Sequence, residues 1–131
     1  MTLILTPIYA GVLTLMFVAL SFRVIAGRRA AKARIGDGGD IVLKRRLRVH
    51  GNFAEYVPMA LLLMLLLEIQ GKPPLTIHII GGLLIIGRIL HAIGLGRQPD
   101  LMPMRVVGML LTFAALIVGA LANLGLGSLI G

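Results

Sequence analysis

The stretch LILTPIYAGVLTLMFVALSF, residues 3–22, is an uninterrupted apolar segment that decides how this chain folds. It contains no charged side chain, and roughly 20 such residues are enough for a helix to cross a bilayer. A helix is stable in lipid because all of its backbone hydrogen bonds are made within the helix. The segment lacks the basic start of a cleaved signal peptide, and its apolar run is longer. We therefore expect a first transmembrane helix that stays in the protein.

Three further segments have the same character. Residues 53–69 are apolar apart from two glutamates, residues 75–95 contain one arginine, and residues 106–126 carry no charge. Hydrophobic residues make up 58% of the 131-residue chain, whereas about half is usual in soluble domains. The sequence thus predicts an all-α fold, an integral membrane four-helix bundle that forms one domain over residues 1–131. The predicted helices cover about residues 3–34, 41–69, 75–95 and 104–127.

Two local patterns refine this prediction. Three glycines within residues 36–39 permit positive backbone angles, so the chain should reverse there, and Asp40 should cap the second helix. On the fourth helix, small residues recur at spacings of four and three, which places them in one stripe suited to close packing. The stripe contains Gly108, Thr112, Ala115, Gly119 and Ala122. It should face protein, either within the same subunit or in a second one.

Positive charge is concentrated on one side of the predicted membrane. The net charge is +8, and nine of the thirteen basic residues lie in or beside the first connection. These nine are Arg23, Arg28, Arg29, Lys32, Arg34, Lys44, Arg45, Arg46 and Arg48. Arg97 and Arg105 flank the third connection, and Lys72 lies in the second. The positive-inside rule then places the first and third connections in the cytoplasm and both termini outside. The charges therefore indicate contact with anionic membrane lipid, not with nucleic acid.

The chemistry that the chain can carry is limited by its composition. There is no cysteine, so neither a disulfide framework nor a cysteine nucleophile is available. The three histidines are scattered along the chain, so no metal site is expected.

Polar residues gather where the second helix enters the membrane. Arg48, Asn52 and Glu55 are spaced by four and three, so they share one helix face, and Tyr56 borders it. Ionised groups at this depth persist when they meet protein, water or a partner. Arginines can hold carboxylates through paired hydrogen bonds, and an asparagine both donates and accepts. The row therefore indicates a site for a small molecule that bears carboxylates.

A structural interpretation stays open beside this one. Arg88 interrupts the third apolar segment, and His91 follows it by about one helical turn. Buried charges are normally paired, so Arg88 could form an ion pair with Glu55 between the helices. The polar groups would then hold helices together instead of binding a ligand.

The stretch RVHGNFAEYVP, residues 48–58, resembles the arginine, asparagine, glutamate and proline pattern of the membrane-associated proteins in eicosanoid and glutathione metabolism, the MAPEG family. The four spans and the long basic first connection extend the resemblance over nearly the whole chain. Residues 36–40 and 87–91 look similar to the small bacterial branch. The resemblance implies a homotrimer in the bacterial inner membrane, with glutathione held as co-substrate between adjacent subunits near the cytosolic side.

The resemblance also implies roles for single residues. Arg105, at the start of the fourth helix, would be the catalytic residue that stabilises the glutathione thiolate. One departure is that His91 and Leu95 stand where some members carry aromatic hydroxyls on the third helix. The expected glutathione-binding residues are Arg48, Asn52, Glu55, Tyr56, Arg88, His91 and Arg23.

Three functions are compatible with the sequence. The favoured hypothesis is a glutathione S-transferase or glutathione-dependent peroxidase that acts on a lipophilic small molecule. The main alternative is a non-catalytic membrane scaffold or lipid-binding protein, which the missing tyrosines favour. A small transporter ranks lower, because the first helix has no acidic residue and Glu55 lies near a membrane face.

Overall fold

The computed structural model describes residues 2–126, which form four α-helices joined by short connections. The helices are α1 (Leu5–Ala31), α2 (Ile41–Ile69), α3 (Pro74–Gly96) and α4 (Met102–Asn123). Each is long and apolar enough to cross a membrane. No strand occurs within residues 2–126, so the predicted all-α four-helix bundle is confirmed. The predicted end of the fourth helix at residue 127 lies outside the described residues, and α4 itself ends at Asn123.

α1 ends before the predicted limit of residue 34. Lys32 adopts a left-handed backbone conformation with φ of 53°, and the Ala33 N–H donates back to the Arg28 carbonyl at 3.0 Å. This bond satisfies one of the carbonyls that a helix leaves open at its end. Ala33 is thereby buried against Leu43 of α2. Packing of the next residues therefore overrides the helix propensity of the alanine-rich segment.

The first connection has the backbone that its glycines predict. Gly36, Gly38 and Gly39 have φ of 65°, 57° and 77°, which side-chain-bearing residues rarely adopt. The Asp40 carboxylate accepts a hydrogen bond from the Leu43 N–H at 2.8 Å. The predicted N-cap of α2 is therefore confirmed.

α2 and α3 form the middle of the bundle, because each of them packs against all three other helices. α3 and α4 form the most extensive pair, whereas α1 and α4 do not pack against each other within the described residues. The buried core contains Leu13, Phe53, Val57, Ala60, Met64, Leu67, Ile77, Ile80, Leu84 and Ala115. Among the described residues of α1, Leu13 alone is fully buried in this core, so much of the helix surface is left for lipid or another subunit. The α1 residues that pack against the core while only partly buried are Leu5, Tyr9, Met16, Phe17 and Leu20.

The small-residue stripe of α4 faces α3 at Gly108 and lies against Leu63 of α2 at Gly119, both in the same chain. Gly108, Thr112, Ala115 and Gly119 are buried, and a Cβ added at Gly108 would collide with the backbone of His91. The prediction that the stripe faces protein is confirmed, and its neighbour is internal. This close approach brings the α4 backbone against the part of α3 that carries His91.

Side-chain contacts show which connections share an end of the bundle. Arg45, near the start of α2, pairs with Asp100 in the third connection, so the first and third connections lie together at what we call the basic end. At the opposite end, Glu68 accepts hydrogen bonds from the backbone N–H groups of residues 4–6, each at 2.7 Å. The last turn of α2 thus supplies the acceptors that the start of α1 needs.

Candidate functional site

Arg88 is almost completely buried, with 1% of its surface exposed. Its Nη2 donates to the Asn52 Oδ1 at 2.7 Å and lies 3.2 Å from the His91 Nδ1. Its Nη1 donates to the Thr112 Oγ1 at 3.5 Å, and its Cζ lies 5.6 Å from the centre of the Phe53 ring. Side chains of α2, α3 and α4 therefore meet around one guanidinium, and we call this group the Arg88 cluster.

The hypothesised ion pair between Arg88 and Glu55 is not formed. The side chain of Glu55 is 57% exposed and lies 4.0 Å from Arg48 of the same helix. No carboxylate of residues 2–126 pairs with Arg88, and its Nε has no hydrogen-bond partner there. The reason is the direction of the side chains, since Glu55 and Asn52 lie about 60° apart around the axis of α2. Asn52 is therefore the polar residue of α2 that reaches α3.

The predicted polar row of α2 is divided into a buried and an open part. Asn52 is half-buried and bonded to the Arg88 cluster. Arg48 and Glu55 are more than half exposed, so both could contact a ligand or a second subunit. Tyr56 is half-buried, and its ring packs edge-on against Phe113 of α4 at 5.6 Å. The sequence spacing correctly indicated that Arg48, Asn52 and Glu55 share one side of α2, but it did not distinguish the buried part of the row from the exposed part.

Arg105, the predicted catalytic residue, is bound to an acidic partner. Its Nη1 donates to the Asp100 Oδ2 at 2.9 Å, and the Oδ1 of the same carboxylate pairs with Arg45. Arg45 also donates to the Leu95 carbonyl at 3.2 Å. Sequence reasoning did not identify Asp100 as a site residue, although it is the one acidic residue between Gly96 and α4. A single acidic residue between basic ones was the feature of the sequence that could have identified Asp100 as a site residue.

An open cavity of about 180 Å³ lies at the basic end, where α2 meets the third connection. Its lining residues are Ile41, Lys44, Arg45, Arg48, Leu95, Asp100 and Arg105. Four of these side chains are cationic and one is anionic, so the cavity attracts anions. We call it the basic pocket. It brings together Arg48 and Arg105, which the sequence placed on different helices.

Arg23 lies elsewhere. It lines a separate, smaller cavity with Leu20, Arg46, Val49 and Gly96. Its carbonyl accepts a hydrogen bond from the Arg46 Nη1 at 2.9 Å. Within one subunit the structure does not bring Arg23 to the basic pocket, so its contact with glutathione stays a prediction.

An apolar groove of about 170 Å³ runs between α1 and α2. It is lined by Leu13, Thr14, Phe17, Phe53, Ala54, Val57, Pro58 and Leu61. Phe53 forms part of its wall and also contacts the guanidinium of Arg88. An apolar molecule in the groove would therefore lie beside the Arg88 cluster, separated from its charge by one aromatic ring.

Comparison with known families identifies the kind of protein to which this site belongs. A sequence model of the MAPEG family matches residues 6–125, which is most of the chain. The chain belongs to the MAPEG family. The resemblance that residues 48–58 carry is thereby confirmed.

Two curated relatives of this MAPEG chain share one name. This chain is 37% identical over 119 residues to the Inner membrane protein YecN of Escherichia coli strain K12. The matched region covers 91% of this chain and 89% of the relative. It is equally similar to the protein of that name from Escherichia coli O6:H1 strain CFT073. No solved structure matches the chain. The shared name states a location and no activity, so the function has to be argued from the site.

Proposed function

We propose that this MAPEG protein is a glutathione-binding protein of the bacterial inner membrane, a glutathione S-transferase or glutathione-dependent peroxidase that acts on lipophilic substrates. The observation that carries the proposal is the basic pocket, which joins Arg48 and Arg105 at one end of the bundle. Glutathione has two carboxylates, an ammonium group and a thiol. Cationic walls suit the carboxylates and a thiolate, and the open carboxylate of Glu55 suits the ammonium group.

The buried and open residues would have different tasks. Arg48 and Glu55 are exposed and would contact the tripeptide directly. Arg88 and His91 are 1% and 2% exposed, so within one subunit they would act through Asn52. Because the Asn52 Oδ1 accepts from Arg88, the amide is oriented and its Nδ2 donors remain for a ligand. The Arg88 cluster would thus prepare one hydrogen-bonding group of the site.

Arg105 would favour the reactive form of glutathione. A guanidinium beside a thiol stabilises the thiolate, which is the nucleophile. In a transfer, the sulfur forms a bond to an electrophilic carbon, and the leaving group departs with its electron pair. In peroxide reduction, the sulfur attacks one peroxide oxygen and the other leaves as an alcohol after protonation. A second glutathione then converts the sulfenic acid to the disulfide and water. Since Leu95 offers no hydroxyl at the pocket wall, this stabilisation would rest on charge.

The second substrate and the assembly are part of the proposal. The apolar groove between α1 and α2 would receive a lipophilic electrophile or hydroperoxide that partitions from the bilayer. Arg48 and Glu55 are charged and largely exposed on a membrane helix, which is unfavourable against lipid. A homotrimer with glutathione between its subunits would cover them.

Calorimetric titration of the detergent-solubilised protein with glutathione tests the proposal. We expect saturable binding, which Arg48→Gln should weaken by about tenfold or more, because a charge-assisted hydrogen bond contributes roughly 1.5–3 kcal/mol. Arg34→Gln makes the same change in the first connection, outside the basic pocket, and should leave binding unchanged. If the unmodified protein shows no saturable binding, the non-catalytic scaffold or lipid-binding alternative is favoured.

A further inference from the structure

Among the described residues that line the basic pocket, Asp100 alone is acidic. Its Oδ2 accepts a hydrogen bond from the Arg105 Nη1 at 2.9 Å, and its Oδ1 accepts from the Arg45 Nη1. The carboxylate side chain is 17% exposed, and that of Arg105 is 41% exposed. One carboxylate therefore joins arginines from α2 and α4 at the wall of the pocket.

The backbone that carries Asp100 and Arg105 is held in place. The Leu101 N–H donates to the Gly94 carbonyl at 3.1 Å, and the Arg105 N–H donates to the Leu101 carbonyl at 3.1 Å. A Cβ at Gly94 would collide with the Arg105 backbone, so α3 and α4 are in close contact at this level. Because the backbone is held, the position of the Arg105 guanidinium depends mainly on its own side-chain torsions.

Those torsions need a restraint, because the pocket is crowded with positive charge. Lys44, Arg45 and Arg48 line it together with Arg105, and like charges at short range repel one another. Without a counter-ion, the partly exposed Arg105 would turn toward solvent. Asp100 offsets the repulsion and holds only one nitrogen of Arg105, Nη1. The Nε and Nη2 donors are not used by that carboxylate.

We propose that Asp100 is a positioning residue: it holds one edge of the Arg105 guanidinium at the wall of the basic pocket, so that the other edge faces a bound anion. Arg45 anchors the carboxylate from α2 and is itself held by the Leu95 carbonyl at 3.2 Å. The inference rests on the proposed function in one respect, since the anion is taken to be the glutathione thiolate.

A pH titration of thiolate absorbance with glutathione bound to the full-length protein tests this role. Asp100→Asn keeps the shape and one acceptor but removes the charge, and Asp37→Asn is the matched control in the first connection. We expect Asp100→Asn to raise the pKa of the bound thiol and to lower the thiolate fraction at neutral pH severalfold. Asp37→Asn should change neither, and Asp100→Glu should restore part of the signal. An unchanged or lowered pKa in Asp100→Asn would overturn the inference.

A second measurement does not need glutathione. An arginine-specific dicarbonyl reagent, with mass spectrometry as the readout, reports how accessible Arg105 is. Release of Arg105 in Asp100→Asn should increase its labelling severalfold relative to Asp37→Asn. Equal labelling would overturn the positioning role, even if the protein binds glutathione. Failure of the unmodified protein to bind glutathione would overturn the proposed function and leave this comparison valid. If Asp100→Asn does not fold, Arg45→Gln removes the anchor of the carboxylate and should give the same increase.

Discussion

The Asn52 side-chain oxygen accepts a 2.7 Å hydrogen bond from Arg88, and this contact joins α2 to α3 inside the bundle. Arg88 is 1% exposed and has no carboxylate partner within residues 2–126. A buried cation that is held by neutral acceptors depends strongly on each of them, because an unsatisfied charged group in the interior is costly. The residue that connects the polar core of the fold with the proposed ligand site is therefore Asn52.

Asn52→Ala should destabilise the fold. The substitution removes the nearest acceptor of Arg88, so we expect the free energy of unfolding to fall by about 1–3 kcal/mol. Denaturant unfolding in mixed micelles measures it. Glu55→Ala alters a side chain that is 57% exposed on the same helix and should change stability by less than about 0.5 kcal/mol. Equal effects of the two substitutions would contradict the structural role of Asn52.

Glu68→Gln should loosen the start of α1. The carboxylate accepts three backbone hydrogen bonds from residues 4–6, and an amide keeps one acceptor oxygen in place of two. We expect a loss of about 0.5–2 kcal/mol, as for a lost N-cap, with faster amide hydrogen exchange at residues 4–6. Glu55→Gln makes the same chemical change on an exposed side chain and should leave that exchange unaltered. Unchanged exchange in Glu68→Gln would show that the cap is not needed.

Gly108→Ala should separate α4 from α3. An added Cβ would collide with the backbone of His91, and overpacking of this kind costs about 1–3 kcal/mol. Gly82→Ala is the matched control, because a Cβ there meets no atom within 4 Å. It should be neutral or stabilising by about 0.5–1 kcal/mol through helix propensity. Thermal unfolding in detergent compares the stability of the two variants. A Gly108→Ala variant as stable as the unmodified protein would contradict the close approach of α3 and α4.

Arg105→Gln should abolish thiolate stabilisation while leaving the protein folded, since the Arg105 side chain is 41% exposed. Stopped-flow absorbance on mixing with glutathione records thiolate formation. An opposite charge at short range lowers a pKa by about 1–3 pH units, so we expect the pKa of the bound thiol to rise by a similar amount. Arg97→Gln changes an exposed arginine of the same connection and should keep the signal. A signal that survives in Arg105→Gln would assign the role to another cation.

The orientation in the membrane can be tested by labelling, because the chain has no cysteine of its own. The arginine bias predicts that the first connection is cytoplasmic and the second is outside. A membrane-impermeant maleimide should therefore label Lys72→Cys in intact cells, and Arg34→Cys only after permeabilisation. The reverse pattern would invert the proposed topology.

Features that depend on short stretches of sequence were predictable. The four helices follow from apolar length, and the Asp40 cap follows from residue type and position. The end of α1 was less predictable, because the reversal at Lys32 depends on burying Ala33 against α2. In the candidate site, the shared direction of Arg48 and Asn52 was readable from their spacing.

By itself, the sequence determined that this protein is a membrane bundle of four helices with a strongly basic end and with polar residues where α2 enters the membrane. Only the tertiary structure decided that Arg88 bonds to Asn52 and not to Glu55, and that Asp100 links Arg45 with Arg105. Spacing along one helix specifies which residues share a face. The partner of each residue depends on how the helices are rotated and how closely they approach, which is set by packing between helices that are distant in sequence.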